Sequence, residues 1–260
     1  MPEFTKHEPG THSWADLSAA DIDSAIKLYT DLFGWDVTKE DLPDGGVYAM
    51  FRINGKDIAA AGPLQEEQAK MGIPPHWNVY VTVEDAEQAS KQAEAAGGTI
   101  VVPAFDVMEF GRMAVIADPT GAIFNVWEPK TNIGAHVLGE TNTISWTELS
   151  TSDTNKAGEF YKEVFGYTLT PFGPDGSYTV FTMGDKQIAG MMQVPTEQMR
   201  PNWLVYFNVE DPDDVTKKVK AAGGRAYLEP GESEGVGRFA VLADPQGAAF
   251  GVIRPQPQGS

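Results

Sequence analysis

The chain has 260 residues and a formal net charge of −18, with 19 basic residues scattered among 37 acidic ones. A phosphate-binding face needs clustered Lys and Arg, so no nucleic-acid partner is expected. Cysteine is absent, which removes disulfides, thiol nucleophiles and thiolate metal sites together, and no apolar run approaches the ~18–20 residues that span a bilayer, so no membrane partner is expected either.

The first ten residues are polar and lack the apolar stretch of a secretory signal, which predicts a frayed lead and a cytoplasmic protein. From Thr11, Trp14, Asp16 and Ser18 alternate with Ser13, Ala15 and Leu17, the period of a strand. Asp21 stands where a helix N-cap belongs. Ile22, Ala25, Ile26, Leu28, Tyr29, Leu32 and Phe33 follow at helical spacing, and Gly34 supplies the stop. Three short strands are predicted over 35–39, 47–53 and 58–61, with turns at Pro43–Gly46 and Asn54-Gly55.

The order restarts at Trp77, with a strand over 78–83, a helix over 86–96 closed by Gly97-Gly98, and strands over 99–102, 112–117 and 122–127. An Asp118-Pro-Thr-Gly121 turn joins the last two strands. The unit is therefore βαβββ. Residues 63–75 link the first two units, and 129–141 lead to a second copy of the whole arrangement. Ser13-Trp14-Ala15-Asp16-Leu17-Ser18 returns as Ser145-Trp146-Thr147-Glu148-Leu149-Ser150, 132 residues on. Trp77, Gly97-Gly98, Gly111-Arg112 and Asp118-Pro-Thr-Gly121 return as Trp203, Gly223-Gly224, Gly237-Arg238 and Asp244-Pro-Gln-Gly247, 126 residues on. Two offsets mark two copies of one domain that have drifted in loop length, set here at 1–130 and 131–260.

Tyr29…Phe33-Gly34-Trp35, Tyr161…Phe165-Gly166-Tyr167 and the Asp-Pro-x-Gly turns after each Gly-Gly resemble the vicinal oxygen chelate superfamily, which includes glyoxalase I, extradiol dioxygenases and bleomycin-resistance proteins. The resemblance spans residues 11–255. It implies an α+β fold of two tandem glyoxalase-like domains, each with two βαβββ modules forming a curled mixed sheet around a cleft. It also implies a divalent metal held by His, Glu or Gln on the first and last strands of the modules. Carried onto this sequence, those positions fall on Trp14, Asn78 and Asn125 in the first domain and on Trp146, Leu204 and Gly251 in the second. Trp, Leu and Gly cannot ligate and Asn is a poor ligand for such ions, so no metal or other cofactor is expected. A one-step slip would instead gather His12, Asp16 and His76.

On the face that carries ligands elsewhere in the superfamily, the first domain presents Trp14, Asp16, Asn78, Tyr80, Asn125 and Trp127. The second presents Trp146, Glu148, Leu204, Tyr206 and Gly251. Aromatic walls around a few polar groups suit a small aromatic or apolar molecule. Asp16 and Glu148 are the acid/base candidates, because burial beside an indole raises a carboxyl's pKa. Arg112 and Arg238 are candidates for anchoring an anionic ligand, or for pairing with carboxylates such as Asp106. The expected function is binding of a small molecule in a metal-free cleft. The alternative is a glyoxalase-type lyase or isomerase acting on a small carbonyl compound such as methylglyoxal. Four modules in one chain already supply two clefts, which favours a monomer over a homodimer.

Overall fold

The computed structural model describes residues 3–42, 46–173, 176–196 and 198–256; most of the Pro43–Gly46 turn lies outside them. The first half runs β1 (His12–Ala19), α1 (Ile22–Phe33), β2 (Asp36–Asp41), β3 (Val47–Ile53), β4 (Lys56–Pro63), α2 (Glu66–Lys70), β5 (His76–Thr82), α3 (Ala86–Ala95), β6 (Thr99–Val107), β7 (Gly111–Ala117) and β8 (Ile123–Pro129). The second half repeats it, with no counterpart of the short helix among the described residues: β9 (Ile144–Thr151), α4 (Thr154–Phe165), β10 (Thr168–Phe172), β11 (Tyr178–Met183), β12 (Lys186–Gln193), β13 (Asn202–Asn208), α5 (Pro212–Ala221), β14 (Arg225–Ser233), β15 (Gly237–Ala243) and β16 (Ala249–Pro255).

Local signals place these elements. Asp21, Asp85, Asp153 and Asp211 each cap a helix by accepting backbone N–H bonds from its first turn. Gly34 and Gly166 close α1 and α4 in the left-handed region, at φ 68° and 72°. Asn54 and Gly55, both at positive φ, turn β3 into β4.

Each half is one eight-stranded sheet, β2-β3-β4-β1-β5-β8-β7-β6 and β10-β11-β12-β9-β13-β16-β15-β14. The two modules of a half join through the antiparallel pairs β1–β5 and β9–β13. One face of every central strand, including Ala15, Leu17, Val79 and Val81, enters a core that both halves share. In that core α1 packs on α5, α3 on α4, and β1 and β5 meet β9 and β13. Phe33 meets Phe207 of the other half at a tilt and Phe250 edge-on, and Phe124 meets Phe160 and Phe165 edge-on.

The same polar contact crosses this interface twice. Tyr29 donates to Asp244 at 3.2 Å while receiving the Trp77 indole N–H, and Tyr161 donates to Asp118 at 3.1 Å while receiving that of Trp203. Each Asp-Pro-x-Gly turn thus docks on the other half. The remaining face of each sheet looks away from the shared core.

The lead, expected to fray, is tied down. His7 is buried and bonds the Ala135 carbonyl, and the Gly10 carbonyl accepts from Tyr167 at 2.6 Å. The chain after β8 then fills the gap between β1 and β4, with Ala135 N–H donating to Ser13 and His136 N–H to Asp57. No helix among the described residues is long and apolar enough to cross a membrane.

Candidate functional site

Because β1 alternates, Ala15 and Leu17 take the shared core, and Trp14, Asp16 and Ser18 take the outward face. Register on β5 sets Tyr80 opposite Trp14 and Asn78 opposite Asp16. From β3, two strands away, Tyr48 reaches the same carboxylate. Asp16 accepts from Tyr48 at 3.0 Å, from Tyr80 at 2.8 Å and from the Asn78 amide at 2.9 Å; that amide also donates to Ser18. The Trp14 indole N–H is turned to the Tyr48 hydroxyl. Burial among these rings raises the Asp16 pKa, and the bonds from Tyr80, Asn78 and Tyr48 work against that rise. Burial, together with the adjacent carboxylate, pushes Tyr48 and Tyr80 well above the ordinary phenol range, so both stay protonated.

The second half builds the same device from different parts. Glu148 accepts from Tyr178 at 2.8 Å and from Tyr206 at 3.0 Å, and the Trp146 indole N–H donates to Tyr178 at 3.0 Å. Burial raises Glu148 as it does Asp16. Asn78 is replaced by Leu204, leaving one fewer donor. Small residues have moved to keep the tyrosines in place. In the first half Tyr48 lies over Gly62, where an added Cβ would sit 3.1 Å from its ring. In the second, Met192 takes that register position, and Gly190, the counterpart of Ala60, leaves room for the Tyr178 hydroxyl. A Cβ on Gly190 would fall 1.7 Å from that oxygen. Tyr206 lies likewise on Gly251, whose Cβ would fall 2.1 Å from the ring. Gly251→Ala is therefore expected to push Tyr206 off Glu148 and cost about 1–3 kcal/mol. Chemical shifts should move around Glu148 and stay fixed around Asp16; unchanged Tyr206 resonances would contradict this.

Tyr48 and Tyr178 were not among the residues the sequence singled out. A signal for them exists: Gly46-Val-Tyr48 returns as Gly176-Ser-Tyr178, 130 residues on, between the two offsets already found. The structure brings Trp14, Asn78, Tyr80, Asn125 and Trp127 to one face around Asp16, and Trp146, Tyr206, Leu204 and Gly251 to one face around Glu148.

Arg112 and Arg238 need correction as cleft residues. Each shares a face with the core residues of its own strand, Ala114 and Ala240, and so points to the helical side. There Arg238 forms a two-point bond to Asp213 of α5, and Arg112 lies near Glu87 of α3 and Asp106. His12 is also displaced. A register shift between His12 and Trp14 turns it into the shared core, 4.8 Å from the Trp203 ring, with both ring nitrogens buried and unpaired. His76 stays at the exposed end of β5, bonded to the Pro74 carbonyl.

These residues do not fit the divalent metal that the resemblance implies. Leu204 and the two Trp positions offer no donor, and Tyr206 fills the space a ligand at position 251 would need. Among the described residues no three His, Asp, Glu or Cys side chains converge. What each face offers is one carboxylate held by two phenols beside apolar walls.

Comparison with known proteins places this geometry. The profile of the "Glyoxalase/Bleomycin resistance protein/Dioxygenase superfamily" matches residues 12–126 and again 143–252. The chain is 41% identical over 261 residues to "Putative glyoxylase CFP32" of Mycobacterium tuberculosis, covering 99% of this chain and all of that one. It is 35% identical over 262 residues to "Anthracycline biosynthesis protein DnrV" of Streptomyces peucetius, covering 96% and 95%. Its fold matches the Mn(II)-bound glyoxalase from Novosphingobium aromaticivorans with a TM-score of 0.66 at 15% identity, over 95% of this chain and 82% of that one. The 2,3-dioxygenase LapB from Pseudomonas sp. KL28 gives 0.65 at 15% identity, over 98% and 97%.

Proposed function

The chain belongs to the Glyoxalase/Bleomycin resistance protein/Dioxygenase superfamily, and from that premise we propose that it binds a small aromatic or apolar molecule without a metal, chiefly in the cleft of its first half. One observation carries this reading. Neither half carries a metal-binding residue at the superfamily's positions, and two of those three positions differ between the halves, yet both keep a Trp–Tyr–carboxylate–Tyr cluster, with compensating shifts of glycine that hold it together. A cluster preserved across such drift is what both clefts have in common. The first cleft adds the Asn78 amide and the Trp127 indole to the walls around it, whereas the second has Leu204 and Ile253. The name of DnrV ties that relative to anthracycline biosynthesis, and a polycyclic aromatic ligand would suit the indole walls here. Two halves sharing one core supply both clefts within a single chain, so a cytoplasmic monomer is part of the proposal.

A second reading rests on the raised carboxyls. A carboxylate whose pKa is raised by burial is a stronger base while it stays ionised and can take a proton from carbon next to a carbonyl, as a lyase or isomerase of a small compound such as methylglyoxal requires, and CFP32 carries a glyoxylase name. Asp16→Asn with Glu148→Gln separates the two. A binder should keep most of its affinity, whereas the enzyme should lose at least ~100-fold in turnover. Native mass spectrometry of protein purified without chelator should show the bare chain or an organic adduct; one divalent ion per chain would overturn the metal-free reading.

A further inference from the structure

Resting on the proposed binding role of the first cleft, we infer that Asn125 is its recognition point. It pairs by two hydrogen bonds with a flat, neutral ring that carries an N–H beside a C=O, as in a lactam or a pyridone. Alternation along β8 sends Phe124 and Val126 into the shared core and Asn125 to the outward face. Register sets it beside Tyr80 of β5 and Val115 of β7. Its polar neighbours on that face are already committed: Tyr48, Tyr80 and Asn78 bond Asp16, and the Trp127 indole bonds the Asn132 carbonyl at 2.8 Å. Asn125 is only 3% exposed, and its amide has no hydrogen-bond partner among the described residues. The unpaired polar atoms of His12, Arg112, His136 and Thr147 are sealed from water. Those of Asn125 are not, so its amide opens onto the outward face.

The second half shows that the fold does not require an amide at this place. Its counterpart is Gly251, and the Tyr206 ring fills the space there with no polar group left to satisfy. An unpaired amide at such low exposure weakens a folded chain, and a partner from outside the chain accounts for its presence. The surroundings choose that partner. An amide offers one acceptor oxygen and two N–H donors, and it pairs edge to edge with a group that offers the reverse. Toward Trp14 and Trp127 the face is closed by the chain itself, because Met50, Ala135 and Leu138 pack on the rings there. The ligand therefore lies at the other end of β8. There Ile123 is 47% exposed, and Val102, beside Val115 on β6, is 38% exposed. These side chains are apolar, so the body of the ligand is an uncharged ring and only its edge reaches down to Asn125.

Two probes test this, 2-quinolone and coumarin, which share one shape and one carbonyl and differ where a ring N–H becomes a ring oxygen. Binding is read by NMR from the Asn125 side-chain amide, assigned by its loss in Asn125→Leu, with the Trp146 indole N–H of the second half as reference. 2-Quinolone should shift the Asn125 amide and bind at least about ten-fold more tightly than coumarin, equivalent to one hydrogen bond. In Asn125→Leu, which keeps the shape of the side chain, the two affinities should become equal. Equal affinities in the wild type, or a preference that survives in Asn125→Leu, overturn the pairing while leaving the binding role standing. If neither probe moves any first-half resonance at millimolar concentration, the binding role fails and the pairing with it. Asn125→Leu should also melt at or above the wild-type temperature, since it removes an unpaired amide. A lower Tm would show that the amide is already satisfied in the free protein, and would overturn the inference without any ligand.

Discussion

Replacing Asp118 by alanine is expected to lower the stability of the whole chain by about 3–5 kcal/mol. Asp118 is 3% exposed, and one of its oxygens accepts from the backbone N–H groups of Thr120, Gly121 and Ala122 and from the Thr120 hydroxyl. Its other oxygen accepts from Tyr161 of the other half. Alanine would strand these donors in a place water cannot easily reach, and stranding a donor costs more than a net hydrogen bond gains. Tyr161→Phe removes the bond across the interface and leaves the Trp203 indole N–H without its acceptor, and should cost about 1–3 kcal/mol. Because the halves share one core, urea unfolding followed by tryptophan fluorescence should remain a single transition in both variants. A separate, earlier transition of the first half alone would show that the shared core does not make the halves one cooperative unit.

His12→Ile should remove much of the chain's sensitivity to acid. Isoleucine is the residue at the matching position of the second half, Ile144, which is buried in the same core. Burial pushes the His12 imidazole down from its ordinary 6.5 to about 3, so in the folded chain it stays neutral. The unfolded chain takes up a proton below pH 6.5 and the folded chain does not until about pH 3. Between those values unfolding binds a proton, and stability falls as the pH falls. At pH 4 the loss attributable to His12 amounts to about 3 kcal/mol relative to pH 7. His7, also lowered by burial, adds a loss of the same sign. Asp16 and Glu148 act oppositely, since a carboxyl raised by folding favours the folded state once it is protonated. The difference between wild type and His12→Ile isolates the one imidazole. Stability curves of the two that stay parallel from pH 7 to pH 4 would refute the buried placement of His12.

Much of the fold was legible in the sequence because its signals are local and written more than once. The Asp N-caps, the helix-closing glycines and the period-two strands each act within a few residues. Their recurrence at offsets of 132 and 126 fixed the grouping of modules. The same period set Trp14 with Asp16 and Trp146 with Glu148 on one face, and the resemblance added Asn78, Tyr80 and Tyr206, so each polar cluster was read except for Tyr48 and Tyr178. β6 runs longer than predicted, to Val107, because register shifts between Ile100, Val102 and Phe105 carry the pairing past Pro103.

The remainder depended on contacts that alternation does not encode. Period two separates the faces of a strand without saying which face meets the core. Arg112 and Arg238 were therefore assigned to the clefts, although each lies on the helical side with Ala114 and Ala240. Even spacing joins His12 to Trp14 and Asp16 only while the strand stays regular, and one shift in register sends the imidazole to the other side of the sheet. Tyr48 and Tyr178 reach their carboxylates across β4 and β12, a meeting set by sheet order. The sequence alone determined the repeated βαβββ unit, the N-caps and one carboxylate beside one indole in each half, since each is fixed by neighbours along the chain. The tertiary structure alone decided that Tyr48 and Tyr178 complete those carboxylates and that the halves share a core, because both depend on residues that meet only when distant strands pack.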